Sequence, residues 1–181
     1  MLIDAKNCCL LVIDIQEKLV PAVHQSETLI ERARWLIEIA HRLEVPVLAS
    51  EQYPRGLGRT VAPVAAVLGE RPVLEKLHFS CAADPGCRSA LDALGRGQVV
   101  LVGMEAHVCV LQTALGLRQQ GKDVFVVADV VSSRDPEDKA LALARMGQAG
   151  VGVVSREMVV FEWLHLSGSE TFREISKNFL R

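Results

Sequence analysis

The sequence has no surplus of either charge: 20 Lys plus Arg stand against 22 Asp plus Glu, for a net charge of −2. Without a basic excess there is no general attraction for phosphate backbones or anionic lipid, so nucleic acid and membrane surfaces are excluded as expected partners. No apolar run approaches the roughly 20 residues that span a bilayer. The Met1-Leu2-Ile3-Asp4 opening lacks the basic region and apolar stretch of an export signal. These absences read as a soluble, cytoplasmic protein. The cysteines, at positions 8, 9, 81, 87 and 109, are odd in number and fit neither a disulfide framework nor a paired Cys-x-x-Cys zinc pattern. They read as free thiols in a reducing compartment. Repeats, low-complexity tracts and linkers are also missing. Gly56-Leu57-Gly58 falls short of a dinucleotide fingerprint, because Val61 stands where the third glycine belongs.

What is present is a chain of 181 residues, half of them hydrophobic, enough for one substantial core and too short for two. We read residues 1–181 as a single domain. Cys8 to Ile13 is a continuous apolar run, as expected of a strand buried on both faces of a parallel sheet. From Leu29 to Leu43 the apolar residues recur at helical spacing with charges between them, which predicts an amphipathic helix. Strands are then predicted at 45–49, 73–75, 98–102, 123–128 and 151–154. Helices are predicted at 60–68, 87–94, 109–120, from Asp135-Pro136 to about 147, and from Ser169 onward. Asp135 supplies an N-cap and Pro136 a first-turn proline. Alternating strands and helices with short connections predict a three-layer α/β fold around a mainly parallel sheet.

Ligands of open parallel sheets bind at the carboxyl ends of the strands, so the polar residues that follow each apolar run are the candidates. They are Asp14 and Gln16; Glu51 and Gln52; Lys76, His78 and Phe79; and Glu105, His107 and Cys109. An acid, an amine and a thiol at neighbouring strand ends have the makings of a nucleophilic site. Cys109, read at the first turn of its helix and near Lys76, is expected to be drawn toward the thiolate. Asp14 would raise the pKa of the pair while accepting its proton. Without further context, Asp14 reads equally as a turn residue and Cys109 as a small buried hydrophobe.

The runs Leu10–Gln16, Glu75–Ser80 and Gly103–Val110 resemble, in order and spacing, the three motifs of the isochorismatase-like cysteine hydrolases. Glu51-Gln52-Tyr53-Pro54 most resembles the subgroup of YcaC-like and isochorismatase-domain-containing proteins. The resemblance implies a Rossmann-like six-stranded sheet of order 3-2-1-4-5-6 and an Asp-Lys-Cys triad on Asp14, Lys76 and Cys109. It implies a cis peptide at Met104-Glu105 and an oxyanion site made by the Glu105 and Cys109 amides. It also implies hydrolysis of small amides, imides or carbamoyl compounds through a thioester. Gln16, Gln52, Phe79 and His107 are the expected pocket residues. Where nicotinamidases of the family carry an Asp-x-His metal pair, this chain reads Ser50-Glu51-Gln52-Tyr53, so no metal and no other cofactor are expected. Retention of Cys109 argues against a vinyl-ether-cleaving isochorismatase. Members of the family usually assemble, and the apolar stretch Met158–Leu166 suggests a homo-oligomer. The alternative is a non-catalytic interaction or assembly protein on the same fold. A phosphatase or dehalogenase would want a second Asp where Gln16 stands.

Overall fold

The computed structural model describes residues 1–70 and 72–180. Its six strands are β1 (Cys8–Ile13), β2 (Val47–Gln52), β3 (Leu74–Lys76), β4 (Gln98–Met104), β5 (Asp123–Ser132) and β6 (Gly152–Val154). They form one sheet in the order β3-β2-β1-β4-β5-β6. All five neighbouring pairs are parallel. The order reverses direction at β1, so the carboxyl ends of β1, β2, β3 and β4 open on one crevice, as the position of the motifs implied.

Parallel strands covered on both sides have no solvent face, and every residue of β1 and β4 is buried. Alternate side chains of β1 feed two cores. Leu10 and Val12 pack with α1 (Ser26–Arg42) and α7 (Arg156–Leu164), whereas Cys9, Leu11 and Ile13 pack with α4 (Pro85–Ala93), α5 (Leu111–Gln119) and α6 (Pro136–Gln148). On the first side α8 (Glu170–Phe179) docks on α1, where Trp35 Nε1 donates to the Phe179 carbonyl at 2.9 Å. Short turns of helix, α2 (Pro54–Leu57) and α3 (Ala62–Ala65), follow β2.

The departures from the sequence reading have local causes. The second strand runs on to Gln52, because Glu51 and Gln52, polar as they are, pair with Glu75 and Lys76 of β3. The predicted helix at 60–68 shortens to one turn, Ala62–Ala65. The predicted helix at 109–120 begins only at Leu111; residues Ala106–Val110 form a wider, π-helical turn ahead of it. The stretch from Met158 is part of α7, whose Val159, Val160 and Trp163 are buried within this chain while Met158 and Phe161 remain half exposed.

One glycine sets the closeness of the two central strands. Gly103 pairs with Ile13 and sits at φ +114°. A Cβ there would lie 2.1 Å from the Ile13 carbonyl oxygen. Only glycine tolerates both the dihedral and the approach.

Candidate active site

Asp14 is the first residue beyond β1 and turns the chain out of the sheet at φ +52°, a left-handed conformation that aspartate accepts more readily than most side chains. Its carboxylate is fully buried between two donors. Lys76 Nζ donates to Oδ2 at 2.7 Å and Ser50 Oγ to Oδ1 at 2.7 Å. Lys76 ends β3, and its ammonium spends its three protons on Asp14, on Gln52 Oε1 at 2.7 Å and on the Phe79 carbonyl at 3.1 Å. A buried ion pair is stable only when its remaining hydrogen-bonding capacity is satisfied, and here it is. The Cys109 thiol completes the group, and the Asp14 charge acts on it. With 6 % of its surface accessible, it is the least buried of the five cysteines, the others being at 0–1 %.

The electrostatics of the thiol differ from the expectation. Burial, and then the Asp14 charge, push the Cys109 thiol well up, against the pull of Lys76. The resting group is therefore a thiol facing a carboxylate. Cys109 lies in the first, π-helical turn of a helical run that continues into α5, yet burial outweighs any pull of that terminus on the thiol. Burial alone would lower the Lys76 pKa, yet the neighbouring Asp14 charge leads the influences that outweigh it and hold the ammonium up. Cys81 borders the same centre. A hydrogen bond from Cys87 favours its thiolate, burial opposes it, and Lys76 again favours it, leaving its pKa lowered.

The Met104–Glu105 peptide is cis, where the family motif implied it. Behind it the Glu105 carbonyl accepts from the amides of Val108 at 3.1 Å and Val110 at 3.2 Å. The Glu105 carboxylate is bound by Arg134 Nε at 2.8 Å.

The four expected pocket residues do not share one cavity. Gln16 has no accessible surface, and its amide braces the loops: Nε2 donates to the Gln52 and Gly58 carbonyls at 3.0 and 2.8 Å, and Oε1 accepts from the Gln52 amide at 2.7 Å. Gln52 holds Lys76 through Oε1 and the Leu77 carbonyl through Nε2. Both glutamines are thus scaffold for the charged centre and not pocket lining. Phe79 offers its carbonyl to Lys76 and leaves its ring half exposed. His107 turns to Ser133, Nδ1 to Oγ at 2.9 Å. A cavity of about 440 Å³ beside the edge strand β3 is lined by Tyr53, Arg55, Leu77, His78 and Asp84, and by Lys76 of the charged group but not by Asp14 or Cys109. Sequence reasoning missed Ser50, which lies two residues before Gln52 on the same face of β2; strand alternation carried to Gln52 would have found it. It also missed Ser133, which no motif marks.

Glu51, in the run of residues 50–53 that stands where nicotinamidases of the family carry their metal pair, has its carboxylate engaged within the protein. Its Oε1 accepts from the Thr60 amide and hydroxyl at 2.6 and 2.8 Å, and its Oε2 from Arg59 at 2.9 Å. Among the described residues no cluster of three or more His, Cys, Asp or Glu has the arrangement of a metal site.

Six parallel strands in this order, with an acid, an amine and a thiol gathered at their carboxyl ends, define an open α/β domain of Rossmann-like kind. The Isochorismatase domain family matches residues 8–158. Isochorismatase domain-containing protein 2A of Mus musculus is 39 % identical over 175 residues, covering 95 % of this chain and 82 % of that protein. The structure of MAR1 ribonuclease from Caenorhabditis elegans superposes with a TM-score of 0.93 at 37 % identity, over 100 % of this chain and 93 % of that one. YcaC of Escherichia coli, described as an octameric hydrolase of unknown specificity, superposes with a TM-score of 0.92, over 99 % of this chain and 91 % of that one. At 22 % identity, that last likeness speaks for the fold alone. The chain belongs to the isochorismatase family of hydrolases.

Proposed function

We propose that the protein is a cysteine-dependent hydrolase of carbon–nitrogen bonds in small amides, imides or carbamoyl compounds, with Asp14, Lys76 and Cys109 as its catalytic triad. The observation that carries this reading is the buried Asp14 carboxylate, held by Lys76 at 2.7 Å, whose charge acts on the Cys109 thiol. A structural ion pair has no need of a thiol with a carboxylate against it; a nucleophile with its base does.

In this mechanism the Cys109 proton passes to Asp14 as the sulfur attacks the substrate carbonyl carbon, so the thiolate exists only when it is used. The Glu105 and Cys109 amides accommodate the tetrahedral oxyanion; donors placed in advance at such a position are worth roughly 10²–10³ in rate. The carbon–nitrogen bond breaks, and Asp14 returns the proton to the departing nitrogen. Water then attacks the thioester, again giving its proton to Asp14, and the acid and the thiol are released. Lys76 stays an ammonium throughout and holds the carboxylate in line. No step calls on a metal or another cofactor.

The free thiols fit a cytoplasmic setting. Among the described residues no helix is long and apolar enough to cross a membrane. A homo-oligomer would cover the exposed Tyr53, Leu77 and Phe79 beside β3 and Met158 and Phe161 on α7. A second reading, RNA cleavage, is raised by the name of the Caenorhabditis elegans relative. The net charge of −2 offers a polyanion little, and small molecules remain the favoured substrates. The deciding experiment is a turnover screen of small amides, imides and carbamoyl compounds, with single-stranded RNA in parallel, on the wild type and Cys109→Ser. Turnover of a small C–N substrate that the serine variant lacks supports the proposal. RNA cleavage alone, or turnover indifferent to Cys109, would replace it.

A further inference from the structure

Two consecutive buried serines at the end of β5 touch both halves of the candidate site. On one side Ser133 Oγ lies 2.9 Å from His107 Nδ1, and His107 stands two residues before Cys109 in the π-helical turn. The other ring nitrogen of His107 faces Asp138 Oδ2 at 3.7 Å, in the first turn of α6. Between these contacts Arg134 reaches the Glu105 carboxylate with Nε at 2.8 Å. On the other side Ser132 Oγ donates to the His24 carbonyl, and the His24 amide donates to the Ser133 carbonyl at 2.9 Å. His24 belongs to the segment that leads from Asp14 to α1.

The turn that carries Cys109 is closed by the Val108 and Val110 amides on the Glu105 carbonyl and runs on into α5, but Glu105 precedes it without a side-chain cap. The side-chain contacts that reach it from residues 132–138 are those above. His107 is held through Nδ1 by Ser133, and its Nε2 lies 3.7 Å from Asp138, beyond hydrogen-bond distance.

We infer that the Ser132–Asp138 segment is a strap that positions the nucleophile turn, with His107 as a positioning residue that keeps the Glu105 and Cys109 amides aimed at the acyl oxygen. The inference rests on the nucleophile reading of Cys109. A misplacement of about 1 Å at such a site costs on the order of 10²-fold in rate, so a contact remote from the reacting atoms has leverage.

The test compares two reactions of the same sulfur. With p-nitrophenyl acetate the sulfur bonds to the acetyl carbon, p-nitrophenolate departs with the electron pair, and a tetrahedral oxyanion forms on the way. With iodoacetamide the sulfur displaces iodide and no oxyanion forms. The strap predicts that His107→Leu and Ser133→Ala each slow the acylation burst at Cys109 by roughly tenfold or more while alkylation changes less than about threefold. His107→Asn, whose amide reaches the Nδ1 position and keeps the Ser133 contact, restores most of the burst. The double variant is no slower than either single one. Acylation and alkylation falling together with the melting temperature, or a full burst in His107→Leu, would overturn the strap while leaving the nucleophile in place. A wild type in which Cys109 is not acylated at all would overturn the nucleophile reading, and the strap with it.

Discussion

Asp14→Asn separates the roles assigned to the carboxylate, because the structure gives its consequences opposite signs. The amide keeps the volume and, with its oxygen toward Lys76 and its nitrogen toward Ser50, keeps one partner for each. What it removes is a negative charge beside a buried ammonium at 2.7 Å. Breaking a buried pair from one side costs about 3–5 kcal/mol. Lys76 retains Gln52 and the Phe79 carbonyl, so the lower end, about 3 kcal/mol, applies. For a chain of this length that is a fall of roughly 6–12 °C in Tm. The thiol responds the other way. The Asp14 charge holds the Cys109 thiol up, so its loss lets the pKa fall and alkylation by iodoacetamide at neutral pH quicken, severalfold or more. Acyl transfer, which needs the base, should drop by at least about 10². The assay is a thermal melt together with timed alkylation and a p-nitrophenyl acetate burst on the folded variant. Acyl transfer at near-normal rate would show that Asp14 is not the base, and alkylation slowing in step with acyl transfer would show that Asp14 does not restrain the thiol.

Gly103→Ala should destabilise the fold by more than about 3 kcal/mol and broaden or abolish a cooperative melt, since φ +114° and a contact of 2.1 Å with the Ile13 carbonyl admit no side chain. A melt within 2 °C of wild type, by the same scale, would contradict the geometry. Burial pushes the Cys8 thiol up to about 11 and the Cys9 thiol up to about 12, from an ordinary 9.0. Groups whose pKa is raised on folding contribute stability that is complete below the unfolded value and lost above it. Urea midpoints should therefore hold to about pH 9 and decline from there toward pH 12, more steeply than in Cys8→Ala/Cys9→Ala. Turnover should survive EDTA dialysis, because Glu51 is engaged by Thr60 and Arg59; loss restored by Zn²⁺ would mean a metal takes part. Light scattering at micromolar concentration should give a mass that is a multiple of 19.8 kDa, and the monomer mass would refute assembly.

The six strands were legible because hydrophobic runs and short connections are properties of the local sequence, whereas the sheet order followed only from the family resemblance. Where the reading fell short, the deciding contacts were distant along the chain. Gln16 and Gln52 look like free polar groups at strand ends; only once β1, β2 and β3 are paired does the Gln16 side chain meet the Gln52 backbone and the Gln52 side chain meet Lys76 and the Leu77 carbonyl. Ser133 carries no motif, and its role follows from a turn 26 residues earlier in the chain. The thiol of Cys109 was read from its helix and its lysine, which both favour ionisation, while the dominant influence is burial, which no window of sequence displays.

The central claim, that Cys109 is a nucleophile facing its base, is tested most directly by timed iodoacetamide labelling of the native protein with peptide mass mapping. Cys109 is the one thiol with accessible surface beyond 1 %, and Lys76 pulls against the burial and the Asp14 charge that push its pKa up, so on access it should label first at neutral pH, faster as pH rises, and more slowly in folded Lys76→Ala. Cys8, Cys9, Cys81 and Cys87 should react only as the protein unfolds. Labelling of Cys81 or Cys87 as fast as Cys109, with no effect of the lysine change, would contradict the account and favour a non-catalytic protein on this fold.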